Sequence, residues 1–170
     1  MPTAPEPLTG SPRGVDWLEC TSSPLALSAA ARWVVTPSCG AVVTFAGTVR
    51  DHAEGRTGVS LLEYEAYEEH VVPVLATVAA DVRSRFAGVA RLVLWHRTGA
   101  LDLEDVAVVV AVSTPHRSEA FEAASFAIDE VKARAPIWKR EHWEGGVDWG
   151  RCDHDRQRTD VLTSSDGGGA

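Results

Sequence analysis

The sequence predicts an α+β domain with a mixed, largely antiparallel sheet and three main helices. Three observations carry that expectation. The hydrophobic period switches repeatedly between two and 3.6 along the chain. The strands are joined both by short hairpin turns and by helical crossovers, in the order β-α-β-β-α-β-β-α-β, which separates the chain from a doubly wound parallel sheet. The longest uninterrupted apolar run, Val106 to Val112, is β-branched and reads as a buried central strand.

Each element follows from local signals. Residues 1–14 are rich in Pro, Gly, Ser and Thr and are expected to be a disordered leader; the folded domain spans 15–150, and 151–170 is a polar tail expected to be disordered. Val15 to Cys20 is a first strand. Ser23 caps a short helix opened by Pro24, with Leu25, Leu27, Ala30, Ala31 and Val34 apolar. GAVVTFAGTVR (40–50) is a strand that should pair with the next, Val59 to Tyr67, leaving the Arg50–Thr57 loop over the sheet end. Val71, Val74, Leu75, Val78, Val82 and Phe86 mark an amphipathic helix with Pro73 in its first turn, ended by Gly88. Val89 to Arg97 is a strand, followed by a Thr98-Gly99 turn. After the buried strand, Thr114-Pro115 caps a helix whose stripe is Ala120, Phe121, Ala124, Ile128, Val131 and Ala135, stopped by Pro136. Ile137 to Trp149 is a loop or short strand.

Composition narrows the function. At 170 residues, 45% hydrophobic and 24% charged, the chain is long enough for one domain with its own core. A net charge of −8 argues against a general nucleic-acid binder. The Val106–Val112 run is far too short to span a bilayer, and the N-terminus lacks the pattern of a secretory signal. Cys20, Cys39 and Cys152 are widely spaced and form no CxxC, so neither a disulfide framework nor a zinc site follows. A cytoplasmic protein without a metal or other cofactor is the resulting expectation.

Chemistry concentrates between Ile128 and Trp149. Of the sixteen Lys and Arg residues only Lys132 and Lys139 are lysine, and both lie here, on either side of Pro136. Arginine is a fixed charge, whereas a lysine whose pKa falls on burial can act as acid, base or nucleophile. Lys132 follows Ile128 by four, at the edge of the apolar stripe, where partial desolvation is expected. The plain alternative is a snorkelling cation suited to a helix C-terminus. Trp138, Trp143 and Trp149 suggest a structured pocket wall. His116-Arg117, in the first turn of the same helix, suits an anion such as phosphate, or is simply a surface arginine beside a capping histidine. Arg50, Arg56 and Arg97 lie at strand ends or in the overhanging loop and would together make a cationic pocket. Cys39 has no neighbour that would lower a thiol pKa and reads as a buried structural cysteine. Cys152 with His154 is weak as a metal tract. Glu63, Glu65, Glu68 and Glu69 read as solvated faces.

Four blocks in order, GAVVTFAGTVRDH (40–52), LEYEAY (62–67), LWHRTGALDLEDVAVVVAVSTPHRSEAFEA (94–123) and IDEVKARAPIWKREHWEGGVDW (128–149), resemble the large, catalytic subunit of molybdopterin synthase. The resemblance implies an α/β hammerhead-type fold and a homodimer within a heterotetramer. It implies a small ubiquitin-like partner whose C-terminal Gly-Gly thiocarboxylate donates sulfur, and a cyclic pyranopterin monophosphate substrate converted to the dithiolene of molybdopterin. By motif it makes Lys132 and Lys139 catalytic and Phe45, Arg50, His116, Arg117 and Arg140 substrate-binding. A non-catalytic dimer that only docks a ubiquitin-like protein is the alternative, and a phosphate-ester hydrolase using His116 and Arg117 is a further one.

Overall fold

Among residues 11–53 and 55–150, which the computed structural model describes, alternation and helical period resolve into β1 (Asp16–Thr21), α1 (Leu27–Trp33), β2 (Ala41–Thr48), β3 (His52–Ala53), β4 (Arg56–Thr57), β5 (Val59–Ala66), α2 (Glu68–Arg85), β6 (Arg91–Arg97), β7 (Gly99–Asp102), β8 (Val106–Thr114), α3 (Arg117–Arg134), β9 (Ile137–Trp143) and β10 (Gly146–Gly150). One sheet runs β1-β6-β8-β2. Its β1–β6 pair is parallel and the others antiparallel, so the sheet is mixed. A second, antiparallel sheet runs β10-β9-β5-β7.

Strand β8 is central, with a neighbour on either edge and helices over both faces. That is why Ala107 to Thr114 are all buried and show no alternation. Helix α1 covers one face, closing Val34 over Val93, Trp95 and Val109. Helices α2 and α3 cover the other, where Leu75, Val78 and Ile128 meet Leu94 and Val110. Burial of these side chains, about 1.5–3 kcal/mol each for the larger ones, holds the layers together. No helix among the described residues is long and apolar enough to cross a membrane.

Several sequence expectations need correction. Strands β2 and β5 do not pair. Strand β2 is hydrogen-bonded to β8, and β5 has β7 and β9 on its two edges. The residues between them form their own β3–β4 hairpin, with Gly55 and Gly58 at φ of 74° and 69°. Helix α1 begins at Leu27 with Ala26 at its N-cap, so neither Ser23 nor Pro24 opens it. Pro73 is the sixth residue of α2, not part of the first turn, and the helix continues through it. His116, not Thr114, is the N-cap of α3. Phe121 is 62% exposed, because the buried stripe runs through Ala120, Ala123, Ala124 and Ala127 instead. Residues 99–102 are a strand, and Ile137 to Gly150 form the β9–β10 hairpin. Cys39 is half-buried. Residues 1–10 of the leader and the tail from 151, with Cys152 and His154, lie outside the described residues.

Candidate active site

Pro136 ends α3 and sends the chain directly into β9. The turn brings the last turn of the helix against the start of the strand, and with them the two lysines. Lys132 is exposed and Lys139 is half-buried. Both line a small cavity of about 120 Å³ together with Tyr64, His96, Val131 and Ile137. Both also line a larger one of about 240 Å³, whose walls include Phe45, Gly47, Arg50, His52 and Glu141. Tyr64, Val108, Lys132 and Lys139 belong to both, so the two cavities adjoin.

Electrostatics within the site centre on Glu141, which is 4% exposed. One of its carboxylate oxygens meets Lys139 Nζ at 3.0 Å and the other accepts from Arg56 at 3.1 Å. Arg56 also reaches Asp148 at 2.5 Å and lies over the Trp143 ring, which ties the β3–β4 hairpin to β9 and β10. A buried carboxylate between two cations is charge-compensated, as burial demands. Arg50 remains exposed beside the larger cavity, with Nε donating to the His52 carbonyl. Asp51 bonds the His52 ring at 2.7 Å, and that bond holds its carboxyl below the usual range.

His96 is the other enclosed polar group. Burial pulls its pKa down to about 4, so it is neutral. Its Nδ1 lies 2.8 Å from the Arg97 carbonyl and must donate there, which leaves Nε2 as an acceptor. The ring stands edge-on to Tyr64.

The remaining candidates lie elsewhere in the chain. His116 and Arg117 are exposed at the start of α3, about 22 Å along the axis from Lys132 at 1.5 Å per residue. Alternation along β9 turns Arg140 to the face opposite Lys139, where it bonds Glu63 and lies over Trp149. His142 also bonds Glu63, so that glutamate is ion-paired and not a merely solvated face. Trp138 and Trp149 likewise face outward with Tyr67, and do not wall the lysine cavities. Of the strand-end and loop arginines, Arg50 lines the larger cavity, Arg56 is held by Glu141 beside it, and Arg97 pairs with Asp105 at 3.2 Å. No group of metal-binding side chains occurs among the described residues.

Sequence reasoning passed over Glu141, His96, Tyr64 and His52. Glu141 had a signal, since two residues after Lys139 in a strand means the same face. The other three depend on strand pairing that no local pattern encodes.

Comparison with known proteins gives a consistent result. The family model described as "MoaE protein" matches residues 20–134. The molybdopterin synthase catalytic subunit of a Nostoc species is 41% identical over 161 residues, covering 92% of this chain and 96% of the relative. That of Bacillus subtilis is 43% identical over 131 residues, covering 77% and 82%. Among solved structures, molybdopterin synthase from Staphylococcus aureus superposes with a TM-score of 0.73 at 36% identity, over 78% of this chain and 95% of that one. A complex of subunits 1 and 2 of the molybdopterin-converting factor from Helicobacter pylori shares the fold, at a TM-score of 0.62 and 20% identity, over 81% and 90%.

Proposed function

The chain belongs to the MoaE family, and from that premise we propose that it is the catalytic subunit of a molybdopterin synthase. It converts cyclic pyranopterin monophosphate to the dithiolene of molybdopterin, taking sulfur from the C-terminal Gly-Gly thiocarboxylate of a small ubiquitin-like subunit. Two catalytic subunits form a homodimer inside a heterotetramer. One observation carries this reading: the only two lysines of an arginine-rich chain line one pair of adjoining cavities.

A thiocarboxylate is already nucleophilic, so the enzyme has to manage charge and protons and needs no thiol of its own. The sulfur attacks a side-chain carbon of the pterin, and Lys132, beside the tail, protonates the oxygen that leaves. Lys139, fixed by Glu141, orients the substrate. Phe45 and Arg50 supply an apolar wall and a cation for the phosphate. Water then cleaves the acyl–sulfur bond, returning the tail as a carboxylate and leaving sulfur on the substrate; a second donor repeats the cycle. His116 and Arg117, distant from the lysines within one chain, join a site only when a second copy brings them there. Arg140, held on the outer face, has no part in the cavity of its own chain.

Reconstitution tests this function. The chain, thiocarboxylated partner and cyclic substrate together should yield the dithiolene, and omission of the partner should abolish it. Binding without turnover would leave only a docking scaffold, and turnover without partner would indicate a hydrolase. Mixing a Lys132→Ala chain with an Arg117→Ala chain tests the shared site. If sites are built across a dimer, randomly mixed dimers recover about a quarter of wild-type activity; a site within one chain recovers none.

A further inference from the structure

We infer that His96 is the acceptor at the floor of the smaller cavity, receiving a backbone N–H of the partner's diglycine tail. The inference rests on the proposed function and adds a residue and a contact to it. The two adjoining cavities differ in size and chemistry. The larger carries Arg50, His52 and Glu141 beside the lysines and suits a polar, phosphorylated ligand. The smaller, about 120 Å³, has half the volume of the larger, and Val108, Val131, Ala135 and Ile137 make it largely apolar. A slim chain without side chains fits such a space; a fused-ring substrate does not.

Entry of a peptide into an apolar cavity creates a hydrogen-bonding demand, because each buried backbone N–H needs an acceptor. Among the side chains lining this cavity the lysines donate only and the Tyr64 hydroxyl can do either. His96 alone combines a neutral ring, an Nδ1–H already committed to the Arg97 carbonyl, and an Nε2 lone pair. It is also held rigidly: the residue is 8% exposed, sits on a central strand of its sheet and packs against Tyr64. Such a fixed acceptor can set how deeply the tail inserts, and so place its terminal sulfur at the lysines. His96 is a positioning residue in this scheme, and no proton passes through it.

The test is a double-mutant cycle in binding. His96→Leu and His96→Gln chains, each shown folded by circular dichroism and a cooperative melt, are titrated by calorimetry with the full-length partner and with a partner lacking its two terminal glycines. His96→Leu should weaken full-length binding about tenfold and leave binding of the truncated partner unchanged, and His96→Gln, which retains an acceptor, should recover most of the loss. Equal losses with both partners, or none with either, overturn the inference. So does a rise confined to the KM for pterin substrate, which would give His96 to the other ligand. Should His96→Leu not fold, the cycle is read from His96→Gln and His96→Asn, whose acceptors sit at different reach; identical binding of both partners by each of these also overturns it. Should the wild-type chain bind full-length and truncated partner equally, the tail does not occupy this cavity, and the site reading itself fails.

Discussion

Lys139 and Glu141 stand two residues apart on β9 and meet on the same face of the sheet, Nζ to carboxylate oxygen at 3.0 Å. Alternation alone puts them together, and the same carboxylate also holds Arg56, from a hairpin 85 residues earlier in the chain.

Removing that charge should therefore loosen two cations at once. Glu141→Gln is expected to lower stability by about 1–3 kcal/mol, at the modest end for a buried pair because Lys139 and Arg56 keep a fifth to a quarter of their side-chain surface in water. Urea denaturation reads the loss. Conversion should fall further than stability accounts for, since Lys139 loses its anchor.

Arginine keeps the charge of lysine but not its proton chemistry. Lys132→Arg should reduce conversion by about 10²-fold or more, the usual contribution of a positioned acid or base, with partner affinity nearly unchanged. Single-turnover assays with thiocarboxylated partner measure it; wild-type rates in that variant would remove Lys132 from the chemistry.

Gly47 lines the larger cavity at the irregularity in β2. A Cβ there would lie 2.6 Å from Val108 Cγ1, the arm of a stiff β-branched side chain in the central strand. Gly47→Ala should cost about 1–3 kcal/mol and distort that cavity. A lowered melting midpoint together with a raised KM for the pterin substrate is the expected pair of results.

The buried histidine adds a pH dependence. The folded pKa of His96 is about 4 against an ordinary 6.5, so between these values the unfolded chain binds a proton that the folded chain refuses. Stability is fully present above pH 6.5 and falls as the pH drops to about 4, by on the order of 3 kcal/mol. His96→Gln should flatten that part of the profile. The denaturant midpoint of wild type should rise more steeply between pH 4 and 6.5 than that of the variant; parallel curves would mean that acid-side loss comes from carboxylates alone.

Much of this molecule was legible in its sequence, and the part that was not has physical causes. The buried β8 strand, the two long helices and the stop at Pro136 follow from composition and period, which are local. The separation of β2 from β5 was not legible, because pairing is chosen by whichever partner buries more surface, here β8 for one and β9 with β7 for the other. Phe121 lies outside the buried stripe because the first turns of the helix turn Ala120, Ala123, Ala124 and Ala127 to the sheet, with Ile128 and Val131 following only near its C-terminal end. Likewise the lysines were visible by their rarity, while Tyr64 and His96 entered the site only through strand register.

The backbone between α3 and β9 has one more implication. With only Ala135 and Pro136 joining helix to strand, the span between the two amines is a matter of chain length. One residue inserted after Pro136 would reverse the facing of every side chain down β9, carrying Lys139 out beside the tryptophans and bringing Arg140's counterpart inward. Glu141 would turn outward with Lys139 and release Arg56, so a one-residue insertion would empty the site of both its amine and the carboxylate that holds it.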